Sequence, residues 1–293
     1  MTTGEEFPKR MKSKRRQSII FLILIITAIP TWGVIWYMVT GALMSPDELI
    51  VTAGPILTER KGMASWPLLP SWPTLAPLTE LLLDSPQFFT MFWNSFVLTI
   101  PTVLGQLILG APAAWALSRL RFRGKKLLFT IYIVLMLMPF QVTMVPNYLI
   151  VQKFGIMDTI WAVILPFAFS AFPVFIMSKS FDAVPRAMLE AAYIDGAGHF
   201  LTFLRIGVPL GLPGILSSVV LGFIECWNAI EQPMTFLKTK SLWPLALYLP
   251  EIASEKLGLA MVASLMMLVP PVLVFLFGQK YLELGIQAAG VKE

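Results

Sequence analysis

The chain has 293 residues, of which 57% are hydrophobic and only 13% charged, with a mean hydropathy of +0.75. Soluble domains carry about 25% charged residues and disordered chains lack hydrophobicity, so both classes are excluded. The net charge of +5 does not indicate nucleic acid, because that needs basic residues clustered on a folded polar surface that this composition cannot supply. One cysteine and one histidine leave neither a disulfide framework nor a cluster of soft metal ligands. What remains is a polytopic membrane protein.

A helix crosses the hydrocarbon core in about 20 mostly apolar residues, and six stretches qualify. The first, 18–44, is long for a signal peptide and lacks a small-residue exit, so it reads as a retained helix kinked at Pro30. The second covers 92–117. The third, 127–150, is interrupted by Pro139 and Pro146. The fourth, fifth and sixth cover 160–177, 206–227 and 257–277. The expectation is an all-α fold with six transmembrane helices, in which 1–17 precede a membrane domain over 18–284 and 285–293 form a tail.

Lysine and arginine set the orientation, since loops rich in them stay in the cytoplasm. Six precede the first span, five lie over 119–126, and Lys179, Arg186, Arg205, Lys280 and Lys292 fall on the same side. Both termini are therefore expected in the cytoplasm. Two external loops stand out by length. The first, about 45–89, contains Trp66, Trp72 and many prolines; a structureless loop of this size is uncommon. The second, about 231–256, contains Trp243, Pro244 and Pro250. Each tryptophan reads either as an interfacial anchor or as a contact for a partner arriving from outside.

The cytoplasmic loop over about 182–205 predicts helix, turn, helix. Asp182 is placed to cap the first helix, and Pro185 suits its first turn, where a missing N–H costs nothing. Good helix formers run from Arg186 to Asp195; Gly196 and Gly198 then allow a reversal at positive φ, and a helix restarts at His199. The small Ala191 and Ala192 would let a partner surface approach closely.

Glu190-Ala191-Ala192, Gly196 after three residues, then Ile206, Val208 and Pro209 after nine more resemble the EAA motif of ABC importer permeases. Every spacing agrees; Val208 replaces a leucine. Asp195 and Ala197 fit the Asp-Gly-Ala form common in sugar permeases. Asn94-Ser95, the run from Ala113 to Gly124, Trp227-Asn228, and the tail with Gly290, Val291 and Lys292 are similar to maltose-type permeases. In the tail a final glutamate replaces glycine.

The resemblance implies a type I ABC importer permease fold and the smaller permease subunit of a carbohydrate importer in a bacterial or archaeal cytoplasmic membrane. It implies that Glu190 to Gly198 form a coupling helix seated in an ATPase groove. It also implies a homologous second permease subunit, two ATPase subunits, an extracytoplasmic solute-binding protein and a lipid surround, with no nucleic acid. The chain has no G-x-x-x-x-G-K-[ST] phosphate loop, so ATP and magnesium belong to the ATPase, and this chain is expected to hold no cofactor and catalyse nothing. Ile206 and Pro209 join the coupling set, and Gly290 to Lys292 would reach the ATPases.

For the substrate path the candidates are Trp227, Asn228, Glu225 and Asn94, because sugars are recognised by aromatic faces together with hydrogen-bonding groups. Glu225 would snorkel to water or face a cavity. Gln106 reads as a helix–helix bond, whereas Gln141 and Asn147 stay open between that role and a polar route. The rival readings are an ion-coupled secondary transporter, which would leave the cytoplasmic motif unexplained, and an ABC permease for a solute other than sugar.

Overall fold

The computed structural model describes residues 9–57, 65 and 67–290. Trp66, Val291 and Lys292 lie outside the described residues. Regular structure among the described residues is helical throughout: α1 (Lys9–Gly41), α2 (Pro46–Leu57), α3 (Ala76–Leu83), α4 (Pro86–Arg119), α5 (Lys125–Leu137), α6 (Phe140–Lys153) and α7 (Ile160–Ala168). There follow α8 (Ala171–Asp182), α9 (Arg186–Ile194), α10 (His199–Thr202), α11 (Val208–Trp227), α12 (Glu231–Phe236), α13 (Leu245–Glu255) and α14 (Leu257–Gly290).

Among the described residues, five helical stretches are long and apolar enough to cross a membrane, and the pair α5–α6 makes a sixth if counted as one span. That pair is bent by 106°, at the first of the two prolines expected to interrupt the span. The cause is local. Met138 precedes a proline and is held extended at φ −73 and ψ 126, and Pro139 adds ψ 151. Two successive extended residues turn the chain. The fourth span is also broken, at Ser170, which is extended between α7 and α8.

The chain divides into two compact units. The first comprises residues 1–84 and 252–265. Its long loop after α1 is not structureless: α2 and α3 lie within it. Glu48 Oε1 accepts from Ser71 N–H at 2.7 Å, Trp36 Nε1 donates to Leu68 O at 2.8 Å, and Lys256 pairs with Glu80. Met44 and Leu81 are fully buried. The apolar face of α1, including Phe21, Leu24 and Trp32, is exposed, as a surface bathed in lipid would be.

The second unit comprises residues 85–251 and 266–293 and is built on α4, α8 and α11. Between apolar helices in lipid, close packing replaces the hydrophobic effect, so small residues mark the contacts. A Cβ added to Gly207 would lie 2.6 Å from the Trp115 ring, one on Gly211 2.4 Å from the Phe181 ring, and one on Gly214 2.2 Å from Ser180 Cβ. The Ser180 hydroxyl donates to Gly211 O at 3.3 Å and accepts from Gly214 N–H at 3.2 Å. Gln106 Nε2 donates to Phe167 O at 3.0 Å, the helix-joining role expected of it.

Candidate functional site

Helix α9 follows from its sequence: alanine, leucine, methionine and glutamate favour it. Only Leu189 is buried, at 7% exposed, in a cluster with Trp115, Phe181 and Phe203. Glu190, Ala191, Asp195 and Gly196 face outward, and Ile194 is 85% exposed. At the end of the helix Gly196 has φ +84. Its N–H donates to Tyr193 O at 3.1 Å, and the Ala197 N–H donates to Ala192 O at 2.9 Å. This is the Schellman cap. It gives the spacing of the motif a cause, because the carbonyl of Ala192 and the left-handed residue four positions later are two ends of one closure. The Tyr193 hydroxyl meets His199 Nδ1 at 3.0 Å, which ties α9 to α10 across the turn.

Asp182 does not cap α9. It ends α8, and the turn over 183–185 intervenes, with Val184 buried. Arg119 stabilises this turn instead: its Nε donates to Phe181 O at 2.8 Å and its Nη2 to Val184 O. Lys125 Nζ likewise donates to Ser118 O at 2.8 Å and Leu120 O at 3.1 Å, satisfying carbonyls at the end of α4.

Beyond α10 the backbone is π-helical over Phe203–Gly207, and the Val208 N–H reaches back five residues to Phe203 O. The reason lies at Pro209, which has no N–H to donate and whose ring would crowd the Arg205 carbonyl in regular α-helix. Ile206 packs against the Trp115 cluster. Together α10, the π turn and α11 make one apolar stretch, His199–Trp227, so α9 is clasped to the foot of a helix whose far end carries Glu225.

At that far end lies a cavity of about 600 Å³, walled by the α5–α6 elbow, the α7–α8 break, the end of α11 and α12. Its polar lining includes Thr143, Asn147, Ser170, Glu225 and Gln232, and Phe140, Phe169 and Phe172 supply aromatic surface. Gln141 Nε2 donates to Glu231 Oε1 at 2.7 Å and fastens α6 to α12.

The loop after α12 is held by three groups. Asn94 Nδ2 donates to Ser241 O at 2.7 Å and Trp243 O at 3.1 Å. The Ser95 hydroxyl accepts from Leu245 N–H at 2.9 Å. Asp158, at φ 57, accepts from the N–H groups of Lys238 and Thr239 at 2.8 Å each and from the Thr239 hydroxyl at 2.6 Å. The bonds from Thr239 hold the Asp158 carboxyl below the usual carboxylate range. Within the second unit these contacts gather Asn94, Asp158 and 231–251 at one end and Arg119, α9 and His199 at the other.

Residues 106–288 match the family described as binding-protein-dependent transport system inner membrane component. The chain belongs to this family. The inner membrane ABC transporter permease protein YcjP of Escherichia coli is 30% identical over 261 residues, covering 83% of this chain and 92% of that protein. The arabinooligosaccharides transport system permease protein AraQ of Bacillus subtilis is 29% identical over 208 residues, covering 70% and 74%. A chain of a bacterial ABC transporter that imports the acidic polysaccharide alginate superposes with a TM-score of 0.76 at 22% identity, over 96% of this chain and 99% of that one. That likeness concerns the fold.

Within this family member, the structure puts Glu190, Ala191 and Ala192 on α9 and Asp195, Gly196 and Ala197 in the cap that closes it, with Ile206 in the π turn and Pro209 just after it; Ala192 and Ala197 are half-buried and the other four exposed. The path candidates separate. Glu225 lines the cavity. Trp227 does not: it is 1% exposed, donates from Nε1 to Met267 O at 3.1 Å, and sits among Phe92, Phe96 and Phe223. Asn228 donates to Ile224 O in its own helix at 2.8 Å, and Asn94 is spent on the loop after α12. Gly290 ends α14. Sequence reasoning missed Asp158, His199 and Gln232. The first two carried a signal, an Asp just after a glycine turn and a lone His six residues from a Tyr; the position of Gln232 depends on remote packing.

Proposed function

We propose that this chain is one of two permease subunits of an ATP-driven importer that carries a saccharide inward across a bacterial or archaeal cytoplasmic membrane. The observation that carries the reading is α9: short, rigidly capped, exposed, and joined to the foot of a membrane helix. A rigid element can pass a rigid-body displacement to what it is clasped to. His199 to Glu225 spans about 40 Å of helix at 1.5 Å per residue, so a push on α9 is delivered at the cavity. The basic residues place the α9 end in the cytoplasm. There two ATPase subunits, which supply the ATP and magnesium chemistry, receive α9, with Glu190 as an ion-pair partner and Met188, Ile194 and Phe200 as apolar contacts exposed for docking.

On the opposite side, the loop pinned by Asp158 and Asn94 offers an ordered surface to a solute-binding protein, and a homologous second permease closes the cavity. The family's description supports the binding protein, and the relatives' names support a saccharide: arabinooligosaccharides for AraQ and diacetylchitobiose for DasC of Streptomyces coelicolor. Gly290, Val291 and Lys292 are proposed as a tail contact to the ATPases on sequence resemblance alone. Glu190→Lys is the test. Glu190 is exposed, so the thermal midpoint should hold while ATP-dependent uptake falls at least tenfold; unchanged uptake would overturn the assignment of α9.

A further inference from the structure

The cavity between the α5–α6 elbow and the end of α11 is one-sided in charge. Glu225 is the one ionisable group lining it, and no lysine, arginine or histidine lines it among the described residues. As a carboxylate, Glu225 only accepts. The Thr143 hydroxyl spends its proton on Phe140 O at 3.1 Å, leaving lone pairs for an incoming donor. Gln232 Oε1 is buried at the wall with no donor bonded to it. Asn147, the Gln232 amide and the Ser170 hydroxyl each bring a donor as well as an acceptor. The lining can therefore both give and accept hydrogen bonds, while its one fixed charge is negative.

Basic residues at the same end of the helices do not offset this. Lys240 is paired with Glu251 and lies over the Trp243 ring at 5.6 Å. Lys238 sits on the loop clamped by Asp158, within reach of that carboxylate's charge. Neither lines the cavity, so the external lysines do not argue for an acidic saccharide.

We infer that this cavity takes an uncharged, hydroxyl-rich saccharide and turns away uronates. Hydroxyl groups are donors as well as acceptors and satisfy Glu225, Thr143 and the orphan Gln232 oxygen. The exposed Phe169 ring, beside the half-buried Phe140 and Phe172, offers apolar surface to the faces of sugar rings. A uronate places a second carboxylate near Glu225 with no cation lining the cavity to offset it, and juxtaposed like charges disfavour binding. The shared fold with an importer of an acidic polysaccharide carries no charge preference with it.

The inference rests on the saccharide-importer reading, and the experiment separates the two. The assembled importer, with its solute-binding protein, is reconstituted in proteoliposomes and offered arabinopentaose, maltopentaose, diacetylchitobiose and alginate pentasaccharide. The expected result is ATP-dependent uptake of at least one neutral saccharide and none of alginate pentasaccharide. Glu225→Arg should cut neutral uptake at least tenfold. Glu225→Gln, which keeps an acceptor oxygen and the side chain's shape, should cut it no more than about threefold and so guards against misfolding. Uptake of alginate pentasaccharide at a rate equal to the neutral sugars, or neutral uptake unchanged in Glu225→Arg, overturns the inference and leaves the importer standing. Absence of ATP-dependent uptake for every saccharide overturns the importer reading itself.

Discussion

Replacing Gly196 by alanine isolates the part played by the α9 cap. Gly196 sits at φ +84, and nothing lies within 4 Å of where a Cβ would be. The penalty is therefore purely conformational: the left-handed region costs an L-residue about 1–2 kcal/mol, which lowers the ratio of capped to uncapped loop about five- to thirtyfold. The loop is exposed, so global stability should hardly change. Binding of the ATPase subunit to the detergent-solubilised permease, measured by titration, should weaken by that same factor, and Gly196→Asn, which tolerates the left-handed region, should recover most of it. If Gly196→Ala binds within twofold of the native chain, or lowers the thermal midpoint as far as a core glycine variant does, the cap is not what docking requires.

Gly207→Ala, by contrast, drives a Cβ to 2.6 Å from the rigid Trp115 ring, an overpacking that costs about 1–3 kcal/mol; its thermal midpoint should fall, and adding Trp115→Leu should restore part of the loss. Trp227→Phe removes the bond to Met267 O and should cost about 1 kcal/mol of stability while the saccharide preference in uptake stays as it was, since Trp227 lies outside the cavity. Asp158 has a lowered carboxyl range in the folded chain, so its contribution is complete above the ordinary carboxylate range and is lost as pH falls through the folded value. Accordingly the midpoint of Asp158→Asn should lie below that of the native chain at neutral pH and converge on it in strong acid.

What could be read in the sequence was local. The spans follow from runs of apolar residues, and the α9 loop follows from chemistry within a few positions: a glycine placed to cap, an N–H missing at Pro209. The 106° elbow was half legible, since Pro139 announces a break but the angle depends on Met138 and Pro139 both being extended. The helices α2 and α3 were hidden among prolines that suggested loop, although proline at a first helical turn is well tolerated. The cavity was not legible, because its walls come from α5, α6, α7, α8, α11 and α12, whose juxtaposition no local pattern encodes. Trp227 shows the same limit. A tryptophan beside an asparagine resembles a sugar platform until Phe92, Phe96 and Met267, all distant in sequence, close around it.

The most direct measurement asks what drives transport. Proteoliposomes holding the assembled importer are loaded with ATP, or given a proton or sodium gradient without ATP, and entry of a labelled neutral saccharide is followed in the presence of the solute-binding protein. Uptake that requires both ATP and the binding protein, and that is lost in Glu190→Lys, is the predicted result. Gradient-driven uptake by this chain in the absence of any ATPase would contradict the account.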